Sequence, residues 1–172
     1  TRVLFLRATG AEKIGKPEIA ILTYQIILKL EPDNFFAMRA AGIIFHDRDA
    51  ERSVLYLENA LLRFPEDALT HYYLAKVLTG QQKTDQAIAH YLVASQDADL
   101  KAAATIEIAR IYAAQGEKDI AIGVLQPLAD YPQVKSYLKE LGYDADEAKK
   151  LKFEDRFDFS VYLKRGYDDN IM

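Results

Sequence analysis

A repeat period of about 34 residues, the length typical of several helical solenoid families, is the feature that most constrains how this sequence can fold. Small residues recur in two series, with spacings of 34, 33 and 34 in the first and 33, 34 and 34 in the second. The first series is Ala8, Gly42, Ala75 and Ala109, and the second is Ala20, Ser53, Ala87 and Ala121. In such a solenoid each unit packs on its neighbours. The sequence therefore predicts a stack of similar units.

Within each unit the apolar residues have helical spacing. Val54, Leu57 and Leu61, for example, lie three and four positions apart, which places them on one face of a helix. Turn-forming residues interrupt every unit near its middle, so each unit is predicted to be two antiparallel helices whose backbones approach closely at the small residues. The predicted helices cover residues 2–13, 17–30, 34–46, 50–63, 67–79, 84–96, 100–114 and 118–130.

Several residues predict where helices begin, bend or end. Asp33 or Asn34, Asp67, and Thr84 or Asp85 are predicted helix caps. The ring of Pro127 would collide with the carbonyl four residues back, so the eighth helix is expected to bend or break there. After Pro132 the period stops. Residues 133–141 and 144–152 are then predicted to be short helices that cover the open end of the last unit.

The pattern of Gly42, Ser53, Leu57, Ala60 and Pro65 resembles the tetratricopeptide repeat (TPR). The resemblance covers residues 1–132 as four repeats, at about 1–33, 34–66, 67–100 and 101–132. It implies an all-α fold, a right-handed superhelical solenoid whose first helices line a concave groove for a protein or peptide client. In the first unit Arg7 and Ala11 replace large apolar residues of the family, which indicates a capping unit or a neighbour missing upstream.

The resemblance also implies which residues line the groove. The positions it selects are Phe5, Thr9, Arg39, Ile43, Tyr72, Lys76, Ile106 and Arg110. Together they are aromatic, aliphatic and basic, which favours an acidic or amphipathic partner. Phe5, Ile43 and Ile106 could instead be contacts of the core, and the sequence leaves both interpretations open. The Lys and Asn pair with which some family members clamp chaperone tails is replaced by Phe5 and Thr9, so that subtype is not expected.

Composition and motifs argue against several other functions. A net charge of −4 and a pI near 5.4 provide no broad positive field, so nucleic acid is not an expected partner. The chain contains no cysteine and no apolar stretch long enough for a membrane helix. His46, His71 and His90 are far apart in sequence, and no catalytic motif is present. We therefore expect no enzyme, no metal, no cofactor and no small-molecule substrate.

The end of the chain, residues 153–172, has a different pattern. Phe157, Phe159, Val161 and Leu163 alternate with polar residues, and this period of two predicts a strand. The run Gly-Tyr-Asp-Asp-Asn that follows at residues 166–170 resembles the end of the first strand in bacterial outer-membrane barrels with periplasmic TPRs, such as surface lipoprotein assembly modifiers and exopolysaccharide-export porins. Residues 153–172 are thus predicted to be an amphipathic tail. A disordered or helix-packed tail is the alternative.

The leading functional hypothesis is a non-catalytic scaffold, the periplasmic module of an outer-membrane export barrel that binds a client or an assembly partner. The chain opens on Thr1 without a signal segment, so we expect a processed chain or part of a longer protein. The alternative is a self-contained soluble adaptor that organises a multiprotein complex, in which case a cytoplasmic location is expected.

Overall fold

The computed structural model describes residues 1–143, and every regular element within them is a helix. The helices are α1 (Arg2–Lys13), α2 (Pro17–Leu30), α3 (Phe35–Phe45), α4 (Ala50–Leu61), α5 (Ala68–Gly80), α6 (Thr84–Ala94), α7 (Lys101–Ala114), α8 (Lys118–Leu125) and α9 (Pro132–Glu140). The all-α class predicted from the period is confirmed. The predicted helix at 144–152 and strand-like tail at 153–172 lie outside the described residues. In the part of the chain that the structure describes, no helix has the length and apolarity to cross a bilayer.

The chain divides into two compact units, Thr1–Lys101 and Ala102–Met172. In the first unit α1 pairs with α2, α3 with α4 and α5 with α6, and these three hairpins are joined by contacts of α2 with α3 and of α4 with α5. In the second unit α7, α8 and α9 contribute to one apolar cluster. Each helix thus buries its apolar face on sequence neighbours, as expected for a repeat fold.

The two series of small residues lie where helices cross. All eight are buried, and seven of them have no exposed surface. At Gly42 an added Cβ would lie 2.7 Å from the Cγ and Cδ2 atoms of Leu57 and 3.2 Å from its backbone nitrogen, so the Leu57 side chain fills the space that a methyl group would need. The Ser53 hydroxyl donates a hydrogen bond to the Gly42 carbonyl at 2.8 Å. This bond ties the two helices together at the crossing.

Side-chain caps begin three of the helices in the first unit. Asn34, Asp49 and Asp67 each accept a hydrogen bond from the backbone N–H three residues later. The predicted cap at Thr84 or Asp85 is wrong. Thr84 is already the first helical residue, because the Lys83 N–H bonds to the Leu78 carbonyl and closes the turn one residue earlier.

One turn position explains why the spacing alternates between 33 and 34. Gly15, Gln82 and Gly116 occupy the same place in their repeats and have φ of 66°, 62° and 87°. The second hairpin has no residue of positive φ between Gly42 and Ser53, and it is one residue shorter there. The missing residue is therefore the left-handed residue of the turn.

The second unit ends as the sequence predicted up to residue 143. Helix α8 stops at Leu125, and a single 3₁₀ turn, Gln126–Leu128, contains Pro127. Helix α9 then places Val134 and Leu138 completely inside the apolar cluster formed with α7 and α8. Gly142, with φ of 76°, follows α9 and permits its last carbonyls to be paired. This helix therefore closes the apolar end of its unit.

Candidate functional site

The first helices of the hairpins, α1, α3 and α5, carry the predicted groove residues of the first unit. Helices α3 and α5 are in direct contact. Arg39 and Ile43 on α3 and Tyr72 and Lys76 on α5 are all partly buried, so each keeps some accessible surface. Thr9 on α1 is exposed, and its hydroxyl donates to the Phe5 carbonyl at 3.0 Å. The predicted groove positions in this unit thus combine apolar, aromatic and basic side chains.

Two groove residues pack edge to face against buried tyrosines. Phe5 lies 5.9 Å from Tyr24 with an interplanar angle of 65°, and Tyr72 lies 5.6 Å from Tyr91 at 66°. The two pairs have the same separation in sequence, and each occupies the same place in its repeat. Phe5 and Tyr72 are therefore partly core residues, while their remaining surface stays accessible to a partner.

Arg39 already has an acidic partner in the free protein. One guanidinium nitrogen lies 2.9 Å from Oδ1 of Asp67, and the guanidinium stacks over Phe35 and Phe36 at 5.0 and 5.6 Å from the ring centres. The other oxygen of Asp67 accepts the cap bond from the Thr70 N–H. Arg39 therefore joins α3 to the start of α5, and part of its guanidinium is already paired within the chain.

The ammonium of Lys76, at a predicted groove position on α5, lies beside a histidine and a tyrosine ring. Its Nζ lies 3.3 Å from Nε2 of His46 and 5.7 Å from the centre of the Tyr73 ring. His46 donates from Nδ1 to the Ile43 carbonyl at 2.7 Å, which leaves Nε2 as the ring nitrogen next to Lys76. Oδ2 of Asp47 lies 3.0 Å from the same nitrogen. Nε2 of His46 thus faces both the Lys76 ammonium and the Asp47 carboxylate.

The two groove residues in the second unit differ from each other. Ile106 is buried in the apolar cluster of α7, α8 and α9, which favours the core interpretation for this residue. Arg110 is exposed, with its guanidinium 5.4 Å from the ring centre of Tyr137 and 3.8 Å from the Glu107 carboxylate. Arg110 is thus the accessible one of the pair.

The sequence interpretation missed a histidine pair. The Nδ1 atoms of His71 and His90 lie 2.7 Å apart, and Nε2 of His71 is 2.7 Å from the Pro65 carbonyl. Since that carbonyl only accepts, His71 donates from Nε2 and accepts from the Nδ1–H of His90. Burial, and secondly the charge of His71, lowers the pKa of His90 to about 4. The two histidines have the same separation in sequence as the two aromatic pairs, and this is the signal that could have predicted their contact.

No cluster of metal ligands accompanies these groups: within residues 1–143 there is no set of three or more His, Asp or Glu side chains that could hold an ion. The hydrogen bonds of His71 join α5 to His90 on α6 and to the Pro65 carbonyl, which precedes α5.

Comparison with known proteins agrees with this architecture. The tetratricopeptide repeat family model matches residues 47–103, which extend from the second hairpin into α7. Comparison with the sequences of curated proteins gives no match.

Solved structures with the same fold cover nearly all of the chain. Two crystal structures of MamA have TM-scores of 0.70, at 19% identity over 96% of this chain and 88% of that protein, and at 21% identity over 94% and 92%. A mutant O-GlcNAc transferase from Thermobaculum terrenum has a TM-score of 0.67 at 18% identity. That match covers 74% of this chain but only 25% of the transferase. At these identities the likeness defines the fold, which is a TPR-like helical solenoid.

Proposed function

We propose that this protein is a non-catalytic scaffold that binds an acidic, amphipathic protein segment along the groove formed by α1, α3 and α5. The observation that carries the proposal is the Lys76 ammonium, held beside His46 and Tyr73 among half-buried aromatic and aliphatic side chains. A partner carboxylate can replace the imidazole beside Lys76, because a charged acceptor makes a stronger hydrogen bond with an ammonium than a ring nitrogen does.

The apolar part of such a segment has matching surfaces close by. Ile43 and Tyr72 are half-buried on the two helices that flank this position. Large amphipathic side chains such as Tyr contribute much of the binding energy in protein interfaces, and a neighbouring cation adds specificity for the sign of the partner's charge. We therefore expect selectivity for acidic over basic segments that have the same apolar residues.

A peptide titration tests this proposal. The probe is a labelled peptide in which leucine alternates with glutamate, and its counterpart has lysine in place of glutamate. Fluorescence anisotropy should show that the full chain binds the glutamate peptide at least about tenfold more tightly, the effect of roughly one charge-assisted contact of about 1.4 kcal/mol. Lys76→Glu should remove that preference.

Lys83→Glu is the matched control, because Lys83 is an exposed lysine in the turn of the same hairpin and the change in net charge is identical. An equal loss in both variants would assign the preference to overall charge. Equal affinity of the unaltered chain for the two peptides would contradict the proposal.

We further propose a location and a context that rest on the sequence of residues 153–172 alone. The alternation at 157–163 and the run at 166–170 support a periplasmic module that continues into an outer-membrane export barrel. The competing proposal is a self-contained cytoplasmic adaptor. Determination of the complete coding sequence separates them, since a barrel requires many further alternating strands downstream and the adaptor requires a stop close to Met172.

A further inference from the structure

Helix α2 exposes a row of large aliphatic side chains on its outer face. Ile19, Leu22, Ile26 and Leu30 are 37%, 61%, 43% and 64% exposed, and their spacings of three, four and four place them on one stripe. We call these four residues the α2 strip. Arg7 of α1 lines a shallow groove of about 290 Å³ together with strip residues.

The repeats themselves show that this strip is not a requirement of the fold. At the same places in the second hairpin are Arg52, Leu55, Asn59 and Arg63, and in the third are Gln86, Ala89, Val93 and Asp97. Polar or smaller side chains therefore fill most of these places where the outer face meets water. Aliphatic residues at all four places in α2 indicate a covered face.

We propose that the α2 strip is the interface of a two-fold symmetric dimer, in which α2 packs antiparallel against α2 of a second copy. An antiparallel two-fold crossing centred between Leu22 and Ile26 places Leu22 of one copy against Ile26 of the other. It also places Ile19 against Leu30 at both ends. Such a self-complementary pattern is the requirement for an isologous interface.

The charges on the same face fit a second copy. Glu18 lies beside the start of the strip and Lys29 beside its end, 11 positions further along α2 and so on the same stripe. The antiparallel arrangement brings Glu18 of each copy to the end where Lys29 of the other lies, which gives two symmetric ion pairs. Within residues 1–143 neither side chain has an ion-pair partner of its own. A parallel arrangement would instead place like charges together.

Sedimentation velocity on the full chain of 172 residues tests the dimer. The expected mass is twice that of the 19.5 kDa chain when the concentration reaches about 100 µM, because a dimer of micromolar affinity is then mostly formed. Leu22→Glu should raise the dissociation constant at least about tenfold, because it buries a carboxylate against aliphatic groups. Leu55→Glu is the matched control, since Leu55 is 58% exposed at the same place in α4, and it should leave the dimer intact.

Charge reversal tests the antiparallel arrangement. Glu18→Lys and Lys29→Glu should each weaken the dimer, and the double variant should restore it. Both reversals oppose the dipole of α2, so the double variant has the least stable helix, and restoration cannot result from helix stability. A monomer at every concentration, a Leu22→Glu variant that remains dimeric, or a double variant weaker than either single one would each overturn the proposal.

Discussion

The first and third hairpins have the same frame but different surfaces. Both contain a small residue on each helix at the crossing, a groove aromatic against a buried tyrosine, and a left-handed residue in the turn. The first exposes the α2 strip, whereas the third joins its helices through the His71 and His90 pair. The small residues, the aromatic pair and the turn residue are thus shared by the two hairpins. The α2 strip and the histidine pair are not.

The two hairpins differ at positions that the repeat pattern does not specify. The place of His90 in the third hairpin is occupied in the first by Thr23, whose hydroxyl donates to the Ile19 carbonyl within its own helix at 2.6 Å. The first hairpin therefore has no corresponding side-chain link between its helices at that point. It has instead a hydrogen bond of 2.5 Å from the Tyr24 hydroxyl to the Glu12 carboxylate, and burial, assisted by this carboxylate, raises the pKa of Tyr24.

The largest effect is expected at the buried alanines where the two helices of each hairpin cross. Ala20→Leu and Ala87→Leu should each lower the free energy of unfolding by about 1–3 kcal/mol, since both alanines are completely buried at helix crossings. Urea denaturation followed by circular dichroism measures the loss. If one of the two variants were as stable as the parent chain, the two crossings would not be equivalent.

The histidine pair should make the stability of the third hairpin depend on pH in a way that the first hairpin does not share. Because the folded state holds the pKa of His90 at about 4 while the unfolded state has the ordinary value near 6.5, the unfolded state binds the proton first as the pH falls. The contribution of the uncharged His90 to the free energy of unfolding is therefore fully present above pH 6.5 and is lost as the pH falls toward 4. Allowing for the partial exposure of His90, it amounts to about 2 kcal/mol.

The measurement is the free energy of unfolding of the parent chain and of His90→Gln at several pH values. The difference in the free energy of unfolding between the parent chain and His90→Gln should change between pH 6.5 and pH 4. Thr23→Val, at the same place in the first hairpin, should instead change the free energy of unfolding equally at each pH. A parallel pair of pH profiles for the parent and His90→Gln would refute the assignment.

The smallest predicted effect concerns the turns. Gln82 has the left-handed φ that Gly15 has in the first hairpin, and this conformation is unfavourable for residues other than glycine. Gln82→Gly should therefore raise the free energy of unfolding by about 0.5–1 kcal/mol, and Gly15→Ala should lower it by a similar amount. Nothing lies within 4 Å of a Cβ added at Gly15, so the backbone angle is the cause of the loss. Thermal melts of both variants should shift in opposite directions.

Much of the fold could be predicted from the sequence, because small residues at a fixed period allow few arrangements. Helices α1 and α2 have the predicted bounds, and α8 is broken at Pro127 as its ring requires. The start of α6 was mispredicted, since the sequence offers Thr84 as a cap whereas the backbone bonds of the turn decide where the helix begins.

The candidate site was less predictable than the fold. The family pattern selects Arg39 and Lys76 by position, yet position does not reveal which cation already has a partner. Asp67 is 28 residues from Arg39, and His46 is 30 residues from Lys76. Such contacts depend on how hairpins are stacked and on the rotamers of long side chains, which no periodic pattern contains.

The closing of α9 over the second unit has a consequence for protein engineering. Val134 and Leu138 are completely buried, so the inner face of α9 leaves no apolar surface on which a consensus hairpin fused after Gly142 could pack. A consensus hairpin fused ahead of Arg2 would instead find Val3 and Leu6, which are 78% and 67% exposed on α1. Among the described residues, apolar surface on which a further hairpin could pack is thus exposed on α1 and not on the buried side of α9. The places that correspond to the α2 strip are exposed or partly exposed in the second and third hairpins, so a hairpin added ahead of α1 would leave the strip accessible for the proposed dimer.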